Sequence, residues 1–466
     1  MTSAGRIATA IELLAEIEAS PRRPADAVAN DYFRARRFIG AGDRRAVSDR
    51  TWGVLRARRR LGWWLARGNA APPGPHPDLP ADPTPRVLVA AALLFDGWTP
   101  SGIVQAYSGG QFAAAPLNPA EQATLAPLAG HTLDHPAMPD AVHLEVPDWV
   151  LPRLAARFGP TLGAELAALL DAAPLDLRAN LLKATRAEVQ AALSAEGFEA
   201  TATPHSPWGL RLPGRRPVTA GPAFQSGLVE IQDEGSQLVA LLTDARPGMR
   251  VADLCAGAGG KTLALAATME NRGHIAACDV SAPRLDAAVR RFRRAGAHNI
   301  ERHLLGPGDR WLKRHAGGFD RVLVDAPCTG IGTWRRNPDA RSRLTETDLA
   351  ELVVRQAELL DDAAALVRKG GRLVYATCSL FPEENEAQVQ SFLGRHAAFA
   401  LVPLARAWPQ GASPAASHSV SPSALNGAPR SAPHGMAPPC AGETLTLTPR
   451  QHGTDGFFAA VLERAA

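Results

Sequence analysis

The stretch VADLCAGAGGKT, residues 251–262, decides the fold. An apolar run breaks into a glycine-rich turn, and helical spacing resumes behind it. Gly257, Gly259 and Gly260 let the backbone pass close to a ligand because no Cβ intrudes. The helix that follows offers unpaired N–H groups. The spacing is not that of a GxxxxGK[ST] phosphate loop, which argues against a nucleoside triphosphatase.

Outward from this turn, short apolar runs alternate with helical stretches. HIAACDV (274–280), RVLVD (321–325) and RLVYAT (372–377) read as strands. APRLDAAVRRFRRAG and DLAELVVRQAELLDDAAALVRKG read as the helices between them. That rhythm predicts a doubly wound parallel sheet with ligands at the carboxyl ends of its strands. GFFAAVLE (456–463) follows a long insertion and suits a last strand that returns antiparallel. Asp279 ends its strand 22 residues beyond Gly257, the distance at which an acid holds ribose hydroxyls. The competing reading is that Asp279 only caps the next helix, a position we give to Ser281. A nicotinamide cofactor remains open at this point.

Two cysteines stand at strand ends: Cys328 in DAPCTGIG and Cys378 in ATCSLFPEENE. Free cysteine is commonly a small buried hydrophobe, and Cys278, inside its strand, fits that description. Cys255 borders the glycine turn. Cys440 falls in a Pro/Ser/Ala-rich stretch. A nicotinamide-dependent reading explains the turn but gives the two strand-tip thiols nothing to do.

Before these strands, residues 7–130 read as helical: Ile7, Ile11, Leu14 and Ile17 recur at helical spacing, as do Trp52, Leu55, Leu61 and Trp64. The Pro-rich segment 71–85 reads as a loop. Two further helices follow Val146; then LDLRANLLK (175–183) reads as a strand and TRAEVQAALSAEG as a helix opening at Thr185. The expected division is 1–140, all-α; 141–228, small α/β; and 229–466, Rossmann-like α/β, with 406–443 a disordered loop.

The 466 residues are 46% hydrophobic, enough for several cores, and carry a formal charge of only +4. Basic residues are nonetheless clustered: eleven Arg against three Asp between Asp31 and Gly68, and nine Arg or Lys against three acids between Arg284 and Arg314. Such clusters suit a polyanion, or are solvated helix faces. Arg335 and Arg336 hold phosphates or pair with nearby acids. The five cysteines have no metal-like spacing, and Glu12, Glu16 and Glu18 interrupt the opening apolar periodicity, unlike a secretory leader. The expectation is a soluble cytoplasmic monomer with free thiols, no metal and no membrane attachment.

DLCAGAGGKT, DVSAPRL, DAPCTGIGTWRRNPD, ATCSLFPEENE and the terminal DGFF resemble the RsmB (Sun/Fmu) group of the Nol/Nop/Sun RNA cytosine-5 methyltransferases. VEIQDEGSQLVA (229–240) resembles the family's entry to its catalytic domain, LDLRANLLK its preceding RNA-binding piece, and residues 25–56 its NusB-like helical extension. The resemblance implies three parts: a NusB-like helical RNA-binding domain, a small α/β RNA-binding domain, and a class I methyltransferase domain using S-adenosylmethionine. It makes Cys378 the nucleophile and Cys328 the residue that assists product release. It places Cys255, Ala256, Gly257, Ala258, Gly259, Gly260, Lys261, Asp279 and Asp325 around the cofactor, with Asp325 also near the base.

The chemistry accounts for a thiol. Carbon 5 of cytosine is a poor nucleophile until a thiolate adds at carbon 6 and makes it enamine-like. Carbon 5 then attacks the methyl of the sulfonium cofactor, a base removes the carbon 5 proton, and the thiol leaves. Ala258 replaces the family's usual Pro, and Thr329 its usual Ser. The acid that the family places after its third sheet strand is not evident; Asp309 lies nearby at the wrong spacing. The implied substrate is small-subunit ribosomal RNA, with transfer RNA as an alternative. A non-catalytic ribosome-assembly factor is the rival of another class, against which intact Lys261, Asp325, Cys328 and Cys378 count.

Overall fold

A computed structural model of the chain describes residues 1–67, 83–214, 216–306, 308–409 and 438–466. The chain divides into two compact units: Met1–Asp171 with Trp334–Thr345, and Ala172–Thr333 with Glu346–Ala466.

The first unit is helical. Thr2 caps the helix Ser3–Glu18 by accepting from the Gly5 N–H. Ile7, Leu14 and Ile17 point into the core, while Ile11 is partly buried at its rim. Trp52, Leu55, Leu61 and Trp64 join the same core from the helices Ala41–Arg56 and Arg58–Arg67. The expected loop at 71–85 falls largely outside the described residues; its last residue, Pro85, begins the helix Pro85–Phe95. Leu151–Phe158 and Leu162–Ala168, expected to open the small α/β domain, lie in this unit too.

Much of the arginine cluster is spent internally. Arg60 binds the buried Glu145, Arg59 pairs with Asp148, and Arg58 and Arg36 pair with Glu18 and Glu16. The segment Trp334–Thr345 leaves the catalytic sequence to complete this unit. Asp339 accepts from the Ala25 N–H, and Arg341 donates to the Leu169 carbonyl. Arg335 is only 5% exposed. Of the two readings given to Arg335, its burial counts against the phosphate contact and favours the pairing with neighbouring groups. Arg336 is half-buried.

The second unit holds two sheets. In the smaller, β1 (Leu175–Ala179), β2 (Thr201–Ala202), β3 (Gly209–Leu212) and β4 (Val229–Ile231) run in the order β2-β3-β1-β4, with every pairing antiparallel. The helix Arg186–Ala195 opens at Thr185, as expected, with a capping box closed by Glu188. Val229–Ile231 belongs to this sheet, so the expected boundary at 228/229 cuts off its edge strand.

The larger sheet contains β5 (Arg250–Asp253), β6 (His274–Asp279), β7 (Ile300–Leu304), β8 (Phe319–Asp325), β9 (Val367–Thr377), β10 (Phe399–Val402), β11 (Leu445–Leu447) and β12 (Phe457–Arg464). Its order is β10-β12-β9-β8-β5-β6-β7, with β11 paired to β12. β5 to β9 are parallel, and β12 returns antiparallel against β9. The order reverses between β5 and β8, the switch point beyond whose carboxyl ends open α/β sheets bind their ligands. The expected disordered stretch 406–443 lies mostly outside the described residues. Its ends are ordered: Trp408 is buried, and the Cys440 sulfur accepts from the Thr446 N–H at 3.5 Å.

Candidate active site

The glycine turn sits at the carboxyl end of β5, and the helix Gly260–Thr268 leaves from it. Gly257 and Gly259 have φ of 55° and 80°, the left-handed region that glycine tolerates. A Cβ on Gly259 would strike the Phe292 ring at 2.3 Å, so that glycine lets two helices meet. A Cβ on Gly257 would meet nothing within 4 Å, so this side of the turn faces open space. The helix has no side-chain cap.

Three acids surround the turn. Asp279 is buried at the tip of β6; its carboxylate accepts from the Gly257 N–H and the Ser281 N–H, both at 2.8 Å. Its first task is thus to shape the turn and the start of the next helix. Ser281 holds the N-cap position but makes no cap bond with its side chain, contrary to expectation. Asp325, at the tip of β8, accepts from Lys261 Nζ at 2.6 Å. Asp253, which the sequence reading passed over, lies beneath the turn, with its Oδ2 accepting from the Thr262 hydroxyl at 2.7 Å. Burial raises its pKa to about 7. Cys255 is close by, and burial pushes its thiol well up. Asp309 faces elsewhere, capping the helix Arg310–Arg314 and binding His303 at 2.7 Å.

Beside the turn, the Cys328 and Cys378 sulfurs lie 3.4 Å apart. Both residues are half-buried. The hydrogen bond to Cys378, reinforced by burial, drives the Cys328 pKa well up, so Cys328 keeps its proton and can donate it to the Cys378 sulfur. Gly330 (φ 70°) lies against the Cys378 sulfur, at 4.0 Å from a Cβ built there.

Beneath the sulfurs is a polar layer absent from the sequence reading. Glu384 Oε1 accepts from the Thr329 N–H and from Gln356 Nε2, each at 2.9 Å, and its Oε2 from the Thr329 hydroxyl. The ATCSLFPEENE motif contains Glu384, but in a run of charges it looks like a solvated face.

This sheet order, with an antiparallel strand inserted beside β9 and a glycine turn after β5, defines the class I methyltransferases. The open side of Gly257, the uncapped helix start and the acids at the tips of β6 and β8 fit S-adenosylmethionine, the cofactor of that class. The model of "16S rRNA methyltransferase RsmB/F" matches residues 240–463, and that of the RsmF/B-like ferredoxin-like domain matches residues 146–219. A probable ribosomal RNA small subunit methyltransferase B from Synechocystis is 36% identical over 68% of this chain and 67% of its own length. A ribosomal RNA small subunit methyltransferase B from Photorhabdus laumondii is 34% identical over 54% of this chain and 58% of its own, so that match spans under two thirds of the relative. Among solved structures, a methyltransferase homolog from Pyrococcus horikoshii superposes with a TM-score of 0.56 at 29% identity, covering 70% of this chain and 97% of that one. The chain belongs to the RsmB/F methyltransferase family.

Proposed function

We propose that this protein methylates carbon 5 of a cytosine in small-subunit ribosomal RNA, with Cys378 as the covalent nucleophile. The observation that carries the reading is the 3.4 Å approach of two thiols beside the cofactor turn, at the edge where parallel strands present their ligands. One pyrimidine ring can meet both sulfurs there. The relatives' names supply the RNA class.

In this reading the Cys378 sulfur bonds to carbon 6 of the cytosine, and a proton passed to nitrogen 3 through Asp325 neutralises the negative charge that builds on the ring. Cys328 starts as a thiol, stabilises negative charge on Cys378 by donating to it, and later assists release of the methylated base. Bound S-adenosylmethionine supplies an electrophilic methyl group. The turn from Cys255 to Lys261 holds it, with Asp279 on the ribose side. The base must be unstacked to reach the thiols, which suits a loop or a flipped nucleotide.

The helical first unit serves, in this proposal, as a NusB-like RNA-binding extension, with the expected boundary at 140/141 moved to 171/172 and that at 228/229 moved past Ile231. The protein acts as a cytoplasmic monomer. Among the described residues, no helix is long and apolar enough to cross a membrane.

Bisulfite sequencing of total RNA from a deletion strain tests the proposal. One or a few cytosines in 16S ribosomal RNA should become convertible. Conversion gained only in transfer RNA would redirect the substrate, and no change in any RNA would leave a non-catalytic assembly role.

A further inference from the structure

We infer that Glu384 is a positioning residue of the two-thiol site: its carboxylate ties the Pro-Cys turn to the Thr-Cys-Ser turn and so sets the distance between the sulfurs. Glu384 is fully buried. No lysine or arginine pairs with it among the described residues, so the cost of burying its charge is offset by hydrogen bonds alone. Two of its three side-chain bonds come from Thr329, the residue directly after Cys328. The third comes from Gln356, whose Nε2 also reaches the Pro327 carbonyl at 2.9 Å, on the other side of Cys328.

The same segment holds the second thiol. The Glu384 carbonyl accepts from the Tyr375 hydroxyl at 2.6 Å, on the strand that leads into Cys378. Asn385 binds the Thr377 hydroxyl and donates to the Ser379 carbonyl at 3.0 Å, so both neighbours of Cys378 are held. The hydroxyls of Thr329 and Ser379 meet at 3.1 Å, closing the layer. Each cysteine is therefore clamped on both flanks by groups anchored at 384–385, and the sulfurs project from two turns that share one support. A carboxylate suits this place because three donors converge on two acceptor oxygens. Glutamine would keep the two bonds at Oε1, and the Thr329 hydroxyl could then turn to Ser379. Alanine would keep none.

The test needs neither RNA nor cofactor, so it does not depend on which cysteine attacks. Dibromobimane bridges two neighbouring thiols with loss of two bromides, and peptide mapping reports the Cys328–Cys378 bridge. Glu384→Ala should slow bridging by about 10–100-fold, the range that a displacement near 1 Å produces in reactions between fixed groups. Glu384→Gln should stay within about threefold of the parent. Should Glu384→Ala not fold, Thr329→Val decides, since it removes the hydroxyl's bonds to Glu384 and Ser379 and leaves the backbone N–H bond to Glu384; it should slow bridging by about threefold or more. Parent-like bridging in a folded Glu384→Ala protein, or in Thr329→Val when the alanine variant does not fold, overturns the inference. If bridging falls as expected while methyl transfer is unchanged, the positioning stands and the roles given to the two cysteines fail.

Discussion

The Lys261 ammonium lies 2.6 Å from the Asp325 carboxylate, joining the helix behind the glycine turn to the tip of β8. The pair spans the point where the strand order reverses, so one ion pair connects the cofactor side of the crevice to the Pro-Cys turn. Lys261 is nearly buried against the Phe457 ring, 5.4 Å from its centroid, whereas Asp325 keeps about a third of its side chain in the crevice, at 29% exposed. The lysine is a fixed anchor, and the carboxylate is the group that a bound base or cofactor can meet.

Lys261→Met should therefore leave the fold intact and free the carboxylate to reorient. Loss of a charge-assisted hydrogen bond of roughly 1.5–3 kcal/mol corresponds to about a 10–100-fold fall in single-turnover methyl transfer. Rapid-quench assays at saturating cofactor would read it. An unchanged rate constant would remove Asp325 from the catalytic group.

The two thiols differ in what their removal should trap. Cys328→Ala leaves the attacking sulfur in place and impairs release, so a protein–RNA adduct should accumulate on a denaturing gel. Cys378→Ala should give none. The reverse pattern would exchange the two roles.

The parts of this arrangement that follow local rules were legible in the sequence. The strands that end at Asp279, Asp325 and Thr377 are dense apolar runs, and their parallel pairing puts the thiols on one edge. β7 escaped notice because it is an edge strand, IERHL, mostly exposed and without apolar alternation. The burial of Arg335 and Arg341 could not be read either, since arginine is ordinarily exposed and only the return of 334–345 to the helical unit encloses them. Asp279 takes the capping role the competing reading gave it, accepting from the Ser281 N–H, and also shapes the glycine turn, which neither reading anticipated. Glu384 was hidden by its neighbours Glu383 and Glu386, because charge strings usually face water.

Asp253 offers a pH signature. It is 1% exposed, and its Oδ1 has no partner among the described residues. Burial lifts its pKa from the ordinary 3.8 to about 7, opposed by the Thr262 hydroxyl. Between those values the folded chain retains a proton that the unfolded chain has released. The group's contribution to stability therefore falls as pH rises through that window, and is flat above it. Asp253→Asn has no such proton, so its stability relative to the parent should improve from about pH 4 to pH 7 by a few kcal/mol at most, at roughly 1.4 kcal/mol per unit. Urea unfolding of both proteins across that range measures the gap. A constant gap would mean that the carboxyl ionises as readily in the fold as out of it.

Gly332 and Gly456 allow the last prediction. The Gly332 N–H donates to the Cys378 carbonyl at 2.9 Å, and the Gly332 carbonyl accepts from the Gly456 N–H at 2.8 Å. Three chain segments thus meet backbone to backbone just behind the thiols. A Cβ on Gly332 would lie 2.2 Å from the Gly456 carbonyl oxygen, and one on Gly456 would lie 2.7 Å from the Gly332 Cα. Neither obstacle is the end of a flexible side chain, so the strands themselves must part. Gly332→Ala should cost about 1–3 kcal/mol, the usual penalty of overpacking. It should also draw Cys378 away from Cys328, slowing methyl transfer beyond what lost stability explains. Gly394→Ala is the control: it lies in the helix Glu386–Arg395 with nothing within 4 Å of its added Cβ. There alanine should stabilise by about 0.5–1 kcal/mol. Urea midpoints and single-turnover rates of the two variants together would separate a clash at the thiols from a general response to added methyl groups. Equal behaviour of the two would show that the backbone contact behind Cys378 is not tight.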